Sequence, residues 1–288
     1  MKNQNLNYKS VTLDGLKNFY REAGNPLNPT ILLLGGFPSS SITFQGLMES
    51  LKNDFHLIAP DYPGFGYSDD PNPEMGEFTF DNLALNLEKF ISKLGLKSFH
   101  LYAFDYGAPI GFRYASKYPD SIKSIIIQNG TAHTEGLGAG FADFMPFLQN
   151  RNPETEKPLR NLFSLEGVKL FYETGAENPE AINPDLIHTD LNHLLAPGRL
   201  NLHLDLLHNY SSNLGHFPTW QNYFKTYAPK ALLVWGKNDP FFPESAANAF
   251  KKDLPHTNLF LFNTGHFALT EYGDEISQRV REFLTGIN

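Results

Sequence analysis

The chain has 288 residues, of which 41% are hydrophobic and 14% aromatic, so it can bury a sizeable core and disorder is not expected. It carries 23 Lys and Arg against 31 Asp and Glu, a net charge of −8, and no cysteine. The missing cysteine excludes disulfides, cysteine-based metal sites and a thiol nucleophile, and the acidic balance disfavours binding to a nucleic-acid backbone.

The first half of the chain alternates between strand and helix patterns. Short apolar runs predict buried strands, and the segments between them have the spacing of apolar residues that is typical of helices. Strands are expected at 30–34, 55–59, 99–104 and 122–127, and helices at 44–51, at 83–94 and directly after residue 105. This alternation favours right-handed crossovers and a mostly parallel sheet.

The alternation stops after Gly130 and resumes near residue 228. Residues 131–227 contain helical stretches such as 200–207, many prolines and no clear strand. Strands are expected again at 231–235 and 259–262, and helices at 246–252 and over the last residues of the chain. We therefore predict an α/β core at 1–130 and 228–288 and a helical segment at 131–227.

Location and partners follow from what the sequence lacks. No stretch approaches about 18 uninterrupted apolar residues, so no membrane span is expected. Residues 1–7 lack the apolar run of a signal peptide. We expect a cytoplasmic monomer or homodimer that acts on a small molecule and binds neither membrane nor nucleic acid.

Asp105 stands at the most informative position, a predicted turn from a strand into a helix. The small residues Ala103 and Gly107 lie two positions before and after it, as in the nucleophile elbow G-x-S-x-G, with aspartate in place of serine. A carboxylate is already ionised at neutral pH and attacks an alkyl carbon directly, leaving an ester that water must cleave. The alternative is a purely structural role, in which Asp105 only caps the helix that follows.

Several motifs together resemble α/β-hydrolases of the epoxide hydrolase and haloalkane dehalogenase group. They span nearly the whole chain in the expected order: 35–38 (GGFP), 61–69 (DYPGFGYSD), the Asp105 elbow, 235–240 (WGKNDP) and 264–267 (TGHF). The resemblance implies an α/β-hydrolase fold, with helices on both faces of a mostly parallel sheet and a helical cap inserted after the sixth strand. It also implies an aspartate nucleophile and a reaction that needs neither cofactor nor metal.

The same resemblance implies the partners of Asp105. His266 lies in the Gly-His turn after the last predicted strand, where this fold carries its base. Asp239 follows the strand at 231–235 and is the expected orienting carboxylate, because the strand that ends at Asn129 supplies none. The backbone N–H groups of Phe37 and Tyr106 are the expected oxyanion donors. Gly35 replaces the histidine usual in that loop.

The leaving-group site separates the possible reactions. A dehalogenase is expected to hold halide with a tryptophan after the nucleophile and a second donor, whereas this chain has Tyr106 there. An epoxide hydrolase is expected to donate protons from cap tyrosines. Tyr210 is the first candidate and Tyr172 a weaker one. Phe147 and Trp220 are weaker candidates for the substrate pocket.

We therefore predict a hydrolase that opens a small apolar epoxide through an aspartyl ester. Haloalkane hydrolysis is the alternative. Ester or lactone hydrolysis and a non-catalytic binding protein are less favoured, the last because all three triad candidates are retained.

Overall fold

A computed structural model of the chain describes residues 6–71, 77–142 and 144–287. Residues 1–5, where the sequence predicts no signal peptide, lie outside the described residues. Eight strands form a sheet in the order β1-β2-β4-β3-β5-β6-β7-β8. They are β1 (Asn7–Leu13), β2 (Leu16–Ala23), β3 (Thr30–Leu34), β4 (His56–Pro60), β5 (Phe99–Phe104), β6 (Ile122–Gln128), β7 (Ala231–Gly236) and β8 (Asn258–Phe262).

The sheet is mostly parallel, as predicted. Only the pairs β1–β2 and β2–β4 are antiparallel, and the remaining neighbours from β4 to β8 are parallel. The architecture is that of the α/β-hydrolase fold.

The β1–β2 hairpin is the part of the sheet that the apolar runs do not predict. Asp14 and Gly15 form its turn with φ values of 49° and 84°, the left-handed conformations that a two-residue hairpin requires. Most of β1 is exposed, so it carries no continuous apolar run. An Asp-Gly pair was therefore the available signal for this hairpin.

Helices cover the sheet and fill the segment between β6 and β7. They are α1 (Gln45–Leu51), α2 (Phe80–Lys93), α3 (Gly107–Lys117), α4 (Met145–Gln149), α5 (Pro153–Arg160), α6 (Leu165–Glu173), α7 (Pro184–Leu194), α8 (Arg199–Asn209), α9 (Ser211–Tyr227), α10 (Glu244–Asp253) and α11 (Leu269–Thr285). In the core, α1 packs against α11 and α2 against α3. Within the described ranges, no helix is both long and apolar enough to cross a membrane.

Residues 131–227, which we call the cap, follow β6 and precede β7. Their described part contains helices α4 to α9 and short 3-10 turns but no strand. Arg199 at the start of α8 joins the cap to the core, because its guanidinium donates to the carbonyl oxygens of Gly66 and Ser68, both at 2.9 Å, and to Asp70 Oδ1 at 2.7 Å. The division into domains at 130 and 228 stays a prediction.

The parallel strands direct the predicted site residues to one edge of the sheet. The loops that carry Phe37, Asp105, Asp239 and His266 leave the carboxyl ends of β3, β5, β7 and β8. In an open α/β sheet this edge is where ligands bind.

Candidate active site

Asp105 occupies a strained turn between β5 and α3. Its φ is 51°, in the left-handed region that residues other than glycine rarely adopt. Gly107 allows the turn to approach β3, because a Cβ atom there would lie 2.1 Å from the carbonyl oxygen of Leu34. The backbone therefore has the geometry of the predicted elbow, with the Asp105 side chain at its apex.

The backbone N–H of Phe37 donates to Asp105 Oδ1 at 2.7 Å, and the N–H of Tyr106 also bonds to this carboxylate. Gly36 makes this approach possible, since a Cβ atom there would lie 2.0 Å from Asp105 Oδ1 and 2.4 Å from the nitrogen of Tyr106. Gly35 is anchored as well, because its carbonyl oxygen accepts a hydrogen bond from the Tyr62 hydroxyl at 3.2 Å. The structure brings both predicted oxyanion donors to Asp105.

His266 lies between Asp239 and Asp105. Its Nδ1 is 2.7 Å from Asp239 Oδ2, and its Nε2 is 3.6 Å from Asp105 Oδ2. The second distance is too long for a hydrogen bond. Within the part of the chain that the structure describes, the buried Nε2 has no hydrogen-bond partner. The three predicted triad residues are therefore brought together, with the imidazole oriented from one side only.

Burial and charge set the ionisation of this group. Burial raises the pKa of Asp105 to about 6, although the neighbouring His266 and the two backbone N–H groups act in the opposite direction. For His266, burial is the largest single influence and lowers the pKa. The charge and hydrogen bond of Asp239 nevertheless leave the His266 pKa above its usual value. Asp105 is thus still mostly ionised at neutral pH, and His266 is a stronger base than a free imidazole.

Aromatic rings from the core and the cap enclose the carboxylate, whose residue is only 8% exposed. The Phe171 ring of α6 stacks on Phe241 with centroids 4.8 Å apart and meets the edge of Phe37 at 5.4 Å. Phe241 lies 5.8 Å from the ring of His266. The surroundings of the site are therefore apolar.

Tyr210, at the end of α8, is the cap tyrosine that the structure brings to the site. Its ring centroid lies 6.1 Å from that of Tyr106 and 5.4 Å from that of Phe141. Burial and the charge of Asp105 both raise the pKa of Tyr210 far above its usual range. Its hydroxyl is thus protonated at every physiological pH.

The three weaker candidates lie elsewhere. The Tyr172 hydroxyl donates to Asp190 Oδ2 at 2.6 Å, and its ring stacks on Phe267. The ring of Trp220 packs against Phe112 of α3 and lies under the guanidinium of Arg113. Phe147 contacts the His208 ring and lies under the Arg151 guanidinium. The described contacts of these three residues do not include Asp105, Tyr106 or His266. The structure therefore does not bring them into contact with the triad, because each packs against other side chains of the cap or the core.

Sequence reasoning missed Asn129, which directly follows β6. Its side-chain amide donates to Asp239 Oδ2 at 2.8 Å. The sequence analysis looks for a carboxylate after this strand, whereas the residue there is an amide. The available signal was an amide side chain directly after β6, because β6 neighbours β7, the strand that leads to Asp239.

Comparisons with known proteins agree with this fold. The family model of the alpha/beta hydrolase fold matches residues 29–271. The chain is 35% identical over 277 residues to an uncharacterized hydrolase, YNR064C, of Saccharomyces cerevisiae, and the match covers 95% of each chain. It is 24% identical to epoxide hydrolase 3 of Mus musculus, over 95% of this chain and 75% of the relative.

Among solved structures, haloalkane dehalogenase DbeA of Bradyrhizobium elkani aligns with a TM-score of 0.81 at 19% identity. That alignment covers 98% of this chain and 99% of DbeA. This likeness concerns the fold. Since the family model spans most of the chain, and the yeast relative matches it nearly end to end, the protein belongs to the α/β-hydrolase family and is a hydrolase.

Proposed function

We propose that the protein hydrolyses a small apolar epoxide to a diol through an ester on Asp105. The observation that carries this proposal is an aspartate at the elbow whose Oδ1 accepts a hydrogen bond from Phe37 N–H at 2.7 Å. Because Oδ1 is held in this way, Oδ2 is the oxygen that attacks. An aspartate in this position forms an alkyl ester, whereas a serine would form an acyl ester.

In the first step, Asp105 Oδ2 bonds to an epoxide carbon and the ring C–O bond breaks. The ring oxygen takes the proton of the Tyr210 hydroxyl, because an alkoxide is a poor leaving group without an acid. The raised pKa of Tyr210 supports its role as a donor, since the hydroxyl carries its proton at neutral pH.

In the second step, His266 Nε2 removes a proton from water, and the water oxygen attacks the ester carbonyl carbon. The negative charge that develops on the carbonyl oxygen is stabilised by the N–H groups of Phe37 and Tyr106. The diol oxygen then leaves with the proton from His266, and Asp105 is regenerated as a carboxylic acid. Asp105 releases its proton to solvent, and the Tyr210 phenolate takes one up, so the enzyme returns to its starting state. The Nε2 atom has no hydrogen-bond partner among the residues that the structure describes and lies 3.6 Å from Asp105 Oδ2, which supports the role of His266 as a base for water.

Epoxide opening is favoured over halide release by the groups that surround Asp105. Two phenol rings, those of Tyr106 and Tyr210, lie 6.1 Å apart beside the carboxylate. Trp220, whose indole N–H is a donor of the kind that would hold a halide, packs against Phe112 of α3. The surroundings thus supply hydroxyl donors suited to a developing alkoxide.

His266→Ala tests the proposal, because it leaves ester formation possible and removes the base that cleaves the ester. Intact-mass measurement after incubation with a panel of epoxides is expected to give an adduct equal to the enzyme plus the whole epoxide. A haloalkane would instead add its mass less that of the hydrogen halide, so one measurement distinguishes the two reactions.

Two controls frame this experiment. His256→Ala removes an exposed histidine and should accumulate no adduct. Asp105→Ala combined with His266→Ala should form none. If His266→Ala forms no adduct with any epoxide, the proposal is wrong. If it forms an adduct with haloalkanes alone, the reaction is dehalogenation and not epoxide opening.

A further inference from the structure

Asp190 is a buried carboxylate that the proposed reaction does not use. It lies on α7 in the cap and is 0% exposed. Its Oδ1 accepts a hydrogen bond from the Ser39 hydroxyl at 3.1 Å, and its Oδ2 accepts one from the Tyr172 hydroxyl at 2.6 Å. Placing a carboxyl group in the interior is unfavourable unless its hydrogen bonds are met.

The first of these bonds reaches the oxyanion loop. Ser39 lies two residues after Phe37, whose N–H holds Asp105 Oδ1. The Ser39 bond therefore ties the cap to the loop that must present the Phe37 N–H to the developing oxyanion.

The second bond reaches the turn that carries the base. The Tyr172 ring stacks on Phe267 with centroids 4.0 Å apart and an interplanar angle of 14°. Phe267 directly follows His266 in the chain. One carboxylate from the cap thus connects, through Ser39 and Tyr172, to both loops that contribute to the second step.

We propose that Asp190 is a positioning residue that holds the Phe37 loop and the His266 turn in place for ester hydrolysis. This inference rests on the proposed function, because it assigns Asp190 to one of the two steps of that reaction. The Phe37 N–H holds Asp105 Oδ1 in both steps, whereas the developing oxyanion and the water activated by His266 occur only in the hydrolytic step. Displacement of the two loops therefore slows hydrolysis more than alkylation.

Burial and neighbouring groups set the ionisation of Asp190. Burial is the largest influence and raises the pKa of Asp190 to about 7, and Asp61 acts in the same direction. The hydrogen bonds from Tyr172 and Ser39 and the charge of Arg21 lower the pKa and so favour the ionised form.

A change confined to the hydrolytic step has a kinetic signature. When ester hydrolysis slows, kcat and KM fall by the same factor and kcat/KM is preserved, while the ester accumulates. A merely structural loss reduces the fraction of active enzyme, so kcat falls, KM is unchanged and no ester builds up. The two outcomes are thus separable in one set of measurements.

For Asp190→Ala we expect kcat and KM to fall together by about tenfold or more, with the aspartyl ester visible by intact mass during turnover of an epoxide. Ser39→Ala should give the same pattern to a smaller extent. Asp190→Asn should restore most of kcat, because the amide still accepts from Tyr172 and donates to Ser39.

Asp253→Ala is the matched control for Asp190→Ala. Asp253, the last residue of α10, is also a buried carboxylate. Its Oδ2 lies 2.8 Å from Nε2 of the His133 ring. Its replacement should leave the partition between the two steps unchanged. If Asp190→Ala does not fold, Ser39→Ala carries the test alone.

Suppose that His266→Ala traps an ester, but Asp190→Ala and Ser39→Ala show an unchanged KM and no ester. This result would overturn the inference and leave the proposed function intact. No ester in His266→Ala overturns both. Ester accumulation of the same size in Asp253→Ala would likewise remove the special role of Asp190.

Discussion

Asn129 donates a hydrogen bond from Nδ2 to the same oxygen of Asp239 that His266 Nδ1 approaches, at 2.8 and 2.7 Å respectively. The other oxygen of Asp239 accepts from the N–H of Phe241 at 2.7 Å. Asn129 is itself fixed across β6 and β7, because its side chain bonds to both the N–H and the carbonyl oxygen of Gly236. The orientation of the base thus depends on an amide from the neighbouring strand.

Asn129→Ala should therefore slow ester hydrolysis. Without the amide, Asp239 loses one of its donors and the His266 ring is less firmly oriented, so we expect kcat to fall by about tenfold. Steady-state kinetics with an epoxide give the value. Asn263→Ala, at an exposed asparagine after β8, is the control that should retain wild-type kcat. A fully active Asn129→Ala enzyme would contradict a supporting role for this amide.

Gly36→Ala should abolish activity. A methyl group there would overlap Asp105 Oδ1 at 2.0 Å and the Tyr106 nitrogen at 2.4 Å, which displaces the carboxylate from both N–H donors. We expect kcat/KM to fall about 100-fold or more. Gly46→Ala lies on α1 with no atom within 4 Å of the new Cβ, and should be as active as wild type and slightly more stable. Comparable activity of the two variants would mean that the Phe37 loop adapts to the methyl group.

Tyr210→Phe should slow ester formation with epoxides. Loss of the hydroxyl removes the proton donor, and we expect kcat/KM to fall by about 100-fold. Tyr106→Phe tests whether the second phenol shares this role, because its ring lies beside that of Tyr210. Rapid-quench measurement of the ester separates the first step from the second. If both variants form the ester at the wild-type rate, the proton comes from another group.

The first step should fail in acid. Burial raises the pKa of Asp105 to about 6, and only the ionised carboxylate attacks, so kcat/KM should decrease as the pH falls through about 6 and level off above it. A profile of kcat/KM between pH 4.5 and 9 with an uncharged epoxide measures this directly. A profile that stays flat down to pH 5 would show that the carboxylate has an ordinary pKa.

The triad residues were predictable because each follows a strand within a short local motif. Asp105 comes directly after an apolar strand, and Asp239 and His266 follow theirs within four residues. Parallel strands bring such positions to one edge. The family resemblance then supplied their order. The assignment of these residues to catalytic roles stays a prediction.

The supporting contacts join residues that lie far apart in the sequence, so no local sequence pattern predicts them. Asp190 lies 151 residues from Ser39, and Asn129 lies 110 residues from Asp239. Trp220 illustrates the same difficulty in the cap, because the sequence around it did not show whether its ring packs against α3 or faces Asp105. Tertiary packing decides that direction.

The close packing of Gly107 against the carbonyl oxygen of Leu34 has a consequence for engineering. A Cβ atom at Gly107 would lie 2.1 Å from that oxygen, so no side chain can be introduced at this position without moving β3. The cap contributes Phe171 and Tyr210 to the same enclosure through side chains. Directed evolution for a different substrate should therefore draw its library from the cap and leave the elbow unchanged.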